Sequence, residues 1–213
     1  MSGQKNIANK LNNTLVTIAY ILNKNNIEDW FIAYGTLLGI IRKNSCIEND
    51  DDIDIICDNK DFHKLKKVLK ENNITLEYVP GNNGSKKIIK TKETVSLSTI
   101  DIYMAEKKEK GSYLDLWENI LWEACLSYDN NKFIKKEWKG IIINLPYNNT
   151  YMLEKIYGPL WKYPIRSKER IDLEYLIKLK FLKPIIIKII PKQVKNKIKR
   201  LYKKLTGLIR LIK

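Results

Sequence analysis

Apolar positions along this chain switch between helical and strand periods without a regular alternation of the two. Residues 6–25 place Ile7, Leu11, Leu15, Ile18, Ala19 and Leu22 at steps of three and four, the stripe of an amphipathic helix. DWFIAY, residues 29–34, reads as a strand; Gly35-Thr36 interrupts it, and LLGIIRK reads as a short helix. Ile53, Ile55 and Ile56 interleave with Asp52 and Asp54, which predicts a half-buried strand over 52–57 and then a helix over 61–72. Segments 74–79 and 86–90 read as strands joined across PGNNGS, a turn-rich hairpin signal. LSTIDIYM, residues 97–104, is a further strand, with Thr99, Asp101 and Tyr103 on the face opposite Ile100 and Ile102. A charged loop over 106–112, a segment bearing Trp117 and Trp122, a strand over 140–145 and a helix over about 150–157 follow. Strands and helices mixed in this way favour an α+β sheet over a doubly wound one.

Composition changes this picture in one place. The chain of 213 residues is 44% hydrophobic and 30% charged, enough to build a core, and its net charge is +15. That charge is not spread evenly. After Glu174 come thirteen Lys or Arg and no acid, so residues 1–174 hold 26 basic against 24 acidic side chains. We therefore expect a near-neutral domain over 1–175 and a basic tail over 176–213. In the tail, Pro184 and Pro191 bracket IIIKII, and Val194, Ile198, Leu201, Leu205, Leu208 and Ile212 form a helical stripe with most lysines off it. A basic amphipathic helix suits the surface of an anionic membrane; the same stripe could equally dock on the domain and leave its lysines in water. With Tyr202 alone among the tail lysines, aromatic stacking on nucleic acid is not expected.

Several classes are excluded by what is scarce. Cys46, Cys57 and Cys125 make no CxxC pair, and the single histidine, His63, lies in a lysine-rich helical pattern, so a zinc site, a disulfide framework and a histidine-dependent nucleophile are not expected. MSGQKNIANKLNNTLV carries no uninterrupted apolar run of the kind a secretory leader has, and no stretch is long and apolar enough to span a bilayer, which fits a cytoplasmic protein peripheral to the membrane.

The candidate chemistry starts at Asp50-Asp51-Asp52-Ile53-Asp54. Like charges this dense repel unless a cation or a solvated loop accommodates them. On a strand Asp52 and Asp54 share a face, which makes a hard-cation site suited to Mg²⁺ or Mn²⁺, although a solvated acidic loop satisfies the same residues. Gly35 and Thr36 stand just before a helix, where unpaired N–H groups and a missing Cβ favour a phosphate. Asp101 repeats the apolar-Asp-apolar spacing. Three strand carboxylates and a phosphate turn together would suit two-metal phosphoryl transfer, with Asp101 holding the metal that activates an acceptor hydroxyl or taking its proton, and Arg42 offsetting phosphate charge. Each residue also has a plainer reading: a common strand-helix turn, an exposed strand aspartate, a surface arginine. An EF-hand is excluded, because Ile55 stands where its glycine must turn and Asp61 where its glutamate belongs. No GxxxxGK[ST] occurs, which excludes a P-loop.

The run YGTLLGIIRKNSCIENDDDIDI, residues 34–55, resembles the signature of the LicD/fukutin-related family, close to GTLLGxxRxxxxIPWDDDIDI. LEKIYGPLWKYP, residues 153–164, resembles that family's L-x-x-x-YG-x-x-W-x-x-P element, and Asp101 stands where the family carries its third strand aspartate. The resemblance covers residues from about 25 to 165. It implies a nucleotidyltransferase-like, polymerase-beta-type fold: an α+β mixed sheet flanked by helices. It implies transfer of a phospho-alcohol, such as phosphocholine or ribitol phosphate, from a CDP-linked alcohol donor onto a glycan or glycolipid acceptor with release of CMP. On that basis Asp52, Asp54 and Asp101 are metal ligands, Gly35 and Thr36 the phosphate turn, and Arg42 a donor-phosphate contact. A nucleotidyltransferase moving an NMP from an NTP is the alternative on the same fold, and an inert scaffold that keeps only the fold is the alternative from another class. Glu48-Asn49 replaces the family's Pro-Trp, and Lys43 stands where a histidine often follows the arginine. Both changes bear on donor and acceptor choice and remove no proposed ligand.

Overall fold

The structure is a computed structural model that describes residues 3–48, 50–82 and 85–164, with side chains described from residue 8. Helix α1 (Gly3–Lys24) buries Leu11, Leu15, Ile18, Ala19 and Leu22 completely, as its stripe requires. Strand β1 (Trp30–Ile32) leads at once into α2 (Tyr34–Lys43), and β2 (Asp52–Asp58) is followed by a 3₁₀ turn and α3 (Phe62–Glu71). The remaining elements are β3 (Ile88–Lys90), β4 (Thr99–Lys107), β5 (Tyr113–Asp115), β6 (Leu121–Trp122), the hairpin β7 (Ile134–Trp138) and β8 (Ile141–Leu145), and α4 (Asn149–Tyr157).

The main sheet runs β1-β2-β4-β5-β6, and β3 also pairs with β4. Strands β2 and β4 are parallel at its centre, and the other pairings are antiparallel. Their isoleucines, Ile53, Ile55, Ile100 and Ile102, are fully or almost fully buried, as is Phe31, whose ring packs on Tyr113 and Trp122. The architecture is the α+β mixed sheet with flanking helices that the sequence predicts.

Three local expectations change. The strand expected over 74–79 reduces to one bridge, Leu76 to Thr91, flanked by Glu77 N–H to the Lys90 carbonyl at 2.8 Å and Lys92 N–H to the Thr75 carbonyl at 2.9 Å. Tyr78 there is almost fully exposed, so burial on one face does not hold the strand together. Helix α2 starts at Tyr34 rather than at Leu37, so Gly35 and Thr36 form its first turn instead of a break. Strand β4 runs on to Lys107, into the expected loop. The chain divides at Gly158/Pro159, and beyond it Pro159–Pro164 form a turn-rich run. The basic tail over 176–213, its helical stripe and its expected membrane contact lie outside the described residues. Among the described residues no helix is long and apolar enough to cross a membrane.

Candidate active site

The two central strands bring the strand aspartates together. Asp54 pairs in register with Asp101 and Asp52 with Thr99. Register partners on parallel strands lie about 5 Å apart with side chains on the same face, and Asp52 lies two residues before Asp54 on that face. Asp54 and Asp101 are buried, and Asp52 is partly open.

Asp54 is the most constrained of the three. Its carbonyl accepts the Ala33 N–H at 3.1 Å and its N–H donates to the Thr36 hydroxyl at 2.9 Å, so its main chain is fixed against β1 and α2. Its carboxylate accepts the Gly35 N–H at 2.9 Å on one oxygen and, on the other, the Tyr103 hydroxyl at a long 3.4 Å. A carboxylate at an α-helix N-terminus meets unpaired N–H groups and the positive dipole end. In this state the Thr36 hydroxyl and the Gly35 amide both serve Asp54. Arg42, the other residue placed in the site from sequence, lies in the last turn of α2, about 10 Å along the helix axis from Gly35.

The two glycines of GTLLG have steric reasons. A Cβ on Gly39 would stand 2.5 Å from the Ser45 carbonyl oxygen and 3.0 Å from the Ile47 nitrogen. A Cβ on Gly35 would overlap the Asp50 carboxylate and stand 3.2 Å from Asp54 Oδ2. Positions four apart share a helix face. The chain leaving α2 therefore doubles back over that bare face and delivers Asp50 to the helix start. The Thr99 hydroxyl donates to the Asp51 carbonyl at 3.0 Å and ties the end of this return to β4. Asp50, Asp51 and Asp52 carry carboxylate oxygens within 4.8 Å of one another. The sequence pattern draws attention to Asp52 and Asp54; the return loop adds Asp50, whose reach to Gly35 no local period encodes.

Two further groups escape a sequence reading. Lys90 is the register partner of Asp101 on β3, and its ammonium ion-pairs with that carboxylate. Asp115, fully buried, accepts the Tyr34 hydroxyl at 2.5 Å and the N–H groups of Trp117 at 2.7 Å and Glu118 at 3.1 Å. Tyr34 sits at a positive φ of 40°, a costly conformation for a residue with a Cβ, and its ring packs 4.9 Å from that of Tyr103. Asp115 thus holds the strained residue that opens the Gly35 turn, and Tyr34 supports the ring whose hydroxyl reaches Asp54. Tyr103 lies on the Asp101 face by simple alternation, which was the available signal; Asp115 offers none.

The electrostatics are those of crowded acids. Burial first, then Asp101, Asp50 and Asp51, push Asp52 up to about 6, with Lys90 opposing. Burial, Asp52 and Asp50 hold Asp54 well above the usual carboxylate range, against the pull of the Gly35 N–H. Asp50 is raised by burial and Asp51; Asp101 is raised by burial, with Lys90 working against it. A set of closely spaced, partly buried oxygen donors whose ionised forms disfavour one another fits a hard divalent cation, which would stabilise all of them ionised.

Solved structures match the fold of the chain at low identity. A lincosamide antibiotic adenylyltransferase, LnuA, solved with lincomycin, matches at 14% identity and TM-score 0.47 over 76% of this chain and 92% of that one. ANT(2")-Ia in complex with adenylyl-2"-tobramycin matches at 12% identity and TM-score 0.45, over 75% and 84%. Likeness at this level assigns neither donor nor acceptor. No curated protein matches the chain in sequence. The family model described as LicD/FKTN/FKRP, nucleotidyltransferase domain, matches residues 27–169, which include every strand of the sheet and every aspartate of the site. The chain belongs to the LicD/FKTN/FKRP family and is a transferase built on its nucleotidyltransferase domain.

Proposed function

We propose that the protein transfers a phospho-alcohol from a CDP-linked donor onto a hydroxyl of a glycan or glycolipid in the making of a cell-surface polysaccharide or glycoconjugate. The observation that carries this reading is the acidic face of β2 and β4, set against the glycine-bearing first turn of α2. Such a face suits a substrate that arrives with its own phosphates and a counter-cation. It offers a neutral substrate little.

In this reading Asp52, Asp54 and Asp101 hold Mg²⁺ or Mn²⁺, which when bound supplies the positive charge that a diphosphate and its departing nucleotide need. The remaining work falls to the chain itself. The Gly35 amide and the Tyr103 hydroxyl fix how the Asp54 carboxylate is presented. Thr36 fixes Asp54 from the main-chain side. Asp101 accepts the proton of the attacking hydroxyl or orients that hydroxyl, and Arg42 meets donor phosphate once substrate is present. The basic tail over 176–213 would hold the enzyme at an anionic membrane, where lipid-linked acceptors reside.

The test is direct. The full chain is incubated with CDP-choline, CDP-ribitol and free NTPs, each with Mg²⁺ or Mn²⁺ and a glycan acceptor. Release of CMP from a CDP-alcohol supports the reading. Pyrophosphate release from an NTP, with CDP-alcohols left intact, overturns it in favour of nucleotidyl transfer.

A further inference from the structure

The acidic face contains a cation of its own. Strand β3 pairs antiparallel with β4 so that Lys90 lies opposite Asp101, while on the other side of β4 Asp54 lies opposite the same residue. Asp54, Asp101 and Lys90 therefore form one row across three strands. The Lys90 ammonium is bound to Asp101, and its influence extends to Asp52, which it also favours in ionised form.

The two partners are held very differently. Asp101 is buried on a central strand, its side chain 5% exposed. The Lys90 side chain is 35% exposed. Its backbone is fixed between β4 and the Glu77 N–H, which donates to the Lys90 carbonyl at 2.8 Å. A lysine with a fixed Cα and a flexible four-carbon stem can move its charge without moving the fold. A buried carboxylate on a central strand cannot move in the same way.

A divalent ion on Asp101 and an ammonium on the same carboxylate repel each other strongly at contact distance. The ammonium sits on one oxygen, Oδ2, so an ion that takes this oxygen or both competes with it directly, and of the two groups the ammonium has the freedom and the solvent exposure to yield. Asp52 and Glu77 are the protein carboxylates around it, and the phosphate of a bound donor adds a more strongly charged anion on the same face.

We propose that Lys90 is a displaceable counter-cation: it holds Asp101 while the divalent ion is absent, and moves onto the donor's phosphate oxygens once the ion takes Asp101. This rests on the metal-dependent reading above, and it applies to any diphosphate-linked donor, CDP-alcohol or NTP. It makes Lys90 a phosphate-contacting residue on a strand that contributes no metal ligand.

The experiment titrates Mn²⁺ alone, and then inorganic pyrophosphate at saturating Mn²⁺, into the full chain and its Lys90→Met and Lys90→Arg variants by calorimetry, with melting temperatures in parallel. Lys90→Met keeps the stem and loses the charge. It should bind Mn²⁺ about fivefold more tightly, the scale of losing a partly exposed ion-pair competitor, and pyrophosphate roughly tenfold more weakly. Lys90→Arg should restore most of the pyrophosphate affinity. Opposite signs in the two titrations cannot come from a loosened strand, which would weaken both. Unchanged or weaker Mn²⁺ binding in Lys90→Met overturns the competition, and unchanged pyrophosphate binding overturns the transfer to phosphate. If Lys90→Met melts early, Lys90→Gln carries the same comparison. The donor reading fails separately, by absent CMP release from wild type, while the Mn²⁺ titration still decides the role of Lys90.

Discussion

Gly35→Ala probes the crowding of the site with a single methyl group. The added Cβ would overlap the Asp50 carboxylate and come within 3.2 Å of Asp54 Oδ2. These obstacles differ in how far they can yield. Asp50 is partly open to water and its carboxylate ends a short side chain, so it can rotate outward. Asp54 is buried and held by the Gly35 N–H itself, and moving it loses that charge-assisted bond. Overpacking of this kind costs about 1–3 kcal/mol, and rotation of Asp50 brings the cost toward the lower end. Replacing glycine inside a helix returns up to about 1 kcal/mol. The net change in stability is therefore small, about 1 kcal/mol, a shift of roughly 2–4 °C in melting temperature for a chain of this size. Metal binding should respond far more. Asp50 is displaced and Asp54 re-aimed, and disturbing the partners that orient metal ligands costs about 10- to 100-fold in affinity. Thermal melting and Mn²⁺ calorimetry on the same preparation read both quantities. Wild-type Mn²⁺ affinity in a normally melting Gly35→Ala protein would refute the claim that the α2 turn is fitted to the carboxylates. A loss of stability well beyond about 3 kcal/mol would refute the claim that Asp50 can yield.

Asp54→Asn should abolish CMP release and weaken Mn²⁺ binding by at least about 100-fold, yet the metal-free protein should melt no earlier than wild type, because the amide resembles the protonated acid that burial and Asp52 already favour. Asp115→Ala leaves the Tyr34 hydroxyl and the Trp117 and Glu118 N–H groups without their acceptor and should destabilise the fold by about 2–4 kcal/mol, measured by denaturant unfolding. Tyr34→Phe removes one of these bonds and should cost about 1–2 kcal/mol, with a drop in Mn²⁺ affinity that a purely structural bond would not produce. Stability of the metal-free protein should rise as pH is lowered from 7 toward 5. Asp52 titrates near 6 when folded and near 3.9 when unfolded, so the folded state holds the extra proton between those values and stability is lost as pH rises through 6. Allowing for the water that reaches Asp52, the effect is about 1 kcal/mol, and saturating Mn²⁺ should remove it. A metal-free protein that loses stability over the same interval would contradict the crowding.

The parts of this site that can be read from the sequence are those set by a local period. Ile53, Ile55 and Ile56 commit 52–57 to a strand, and the two-residue repeat alone puts Asp52 and Asp54 on one face. The same repeat places Asp101 and Tyr103 together on β4. What the local period cannot supply is register, which depends on how strands distant in sequence slide against one another. That Asp101 lies opposite Asp54, and Lys90 opposite Asp101, follows from the pairing of β2, β3 and β4, and a slip of one residue in β3 would turn Lys90 to the far face. Short strands escape the pattern for a related reason: β5, of three residues, is too brief to show a period, and it carries Asp115, whose partner Tyr34 lies on the far side of the sheet order. The sequence places the start of α2 too late, because a glycine after a strand usually ends something. Here it opens a helix, and the reason is steric, since the returning chain needs the space that Gly35 and Gly39 leave bare. The site therefore depends on two kinds of information. Alternation along each strand supplies its charges, and close approach between strands and loop decides which of them meet.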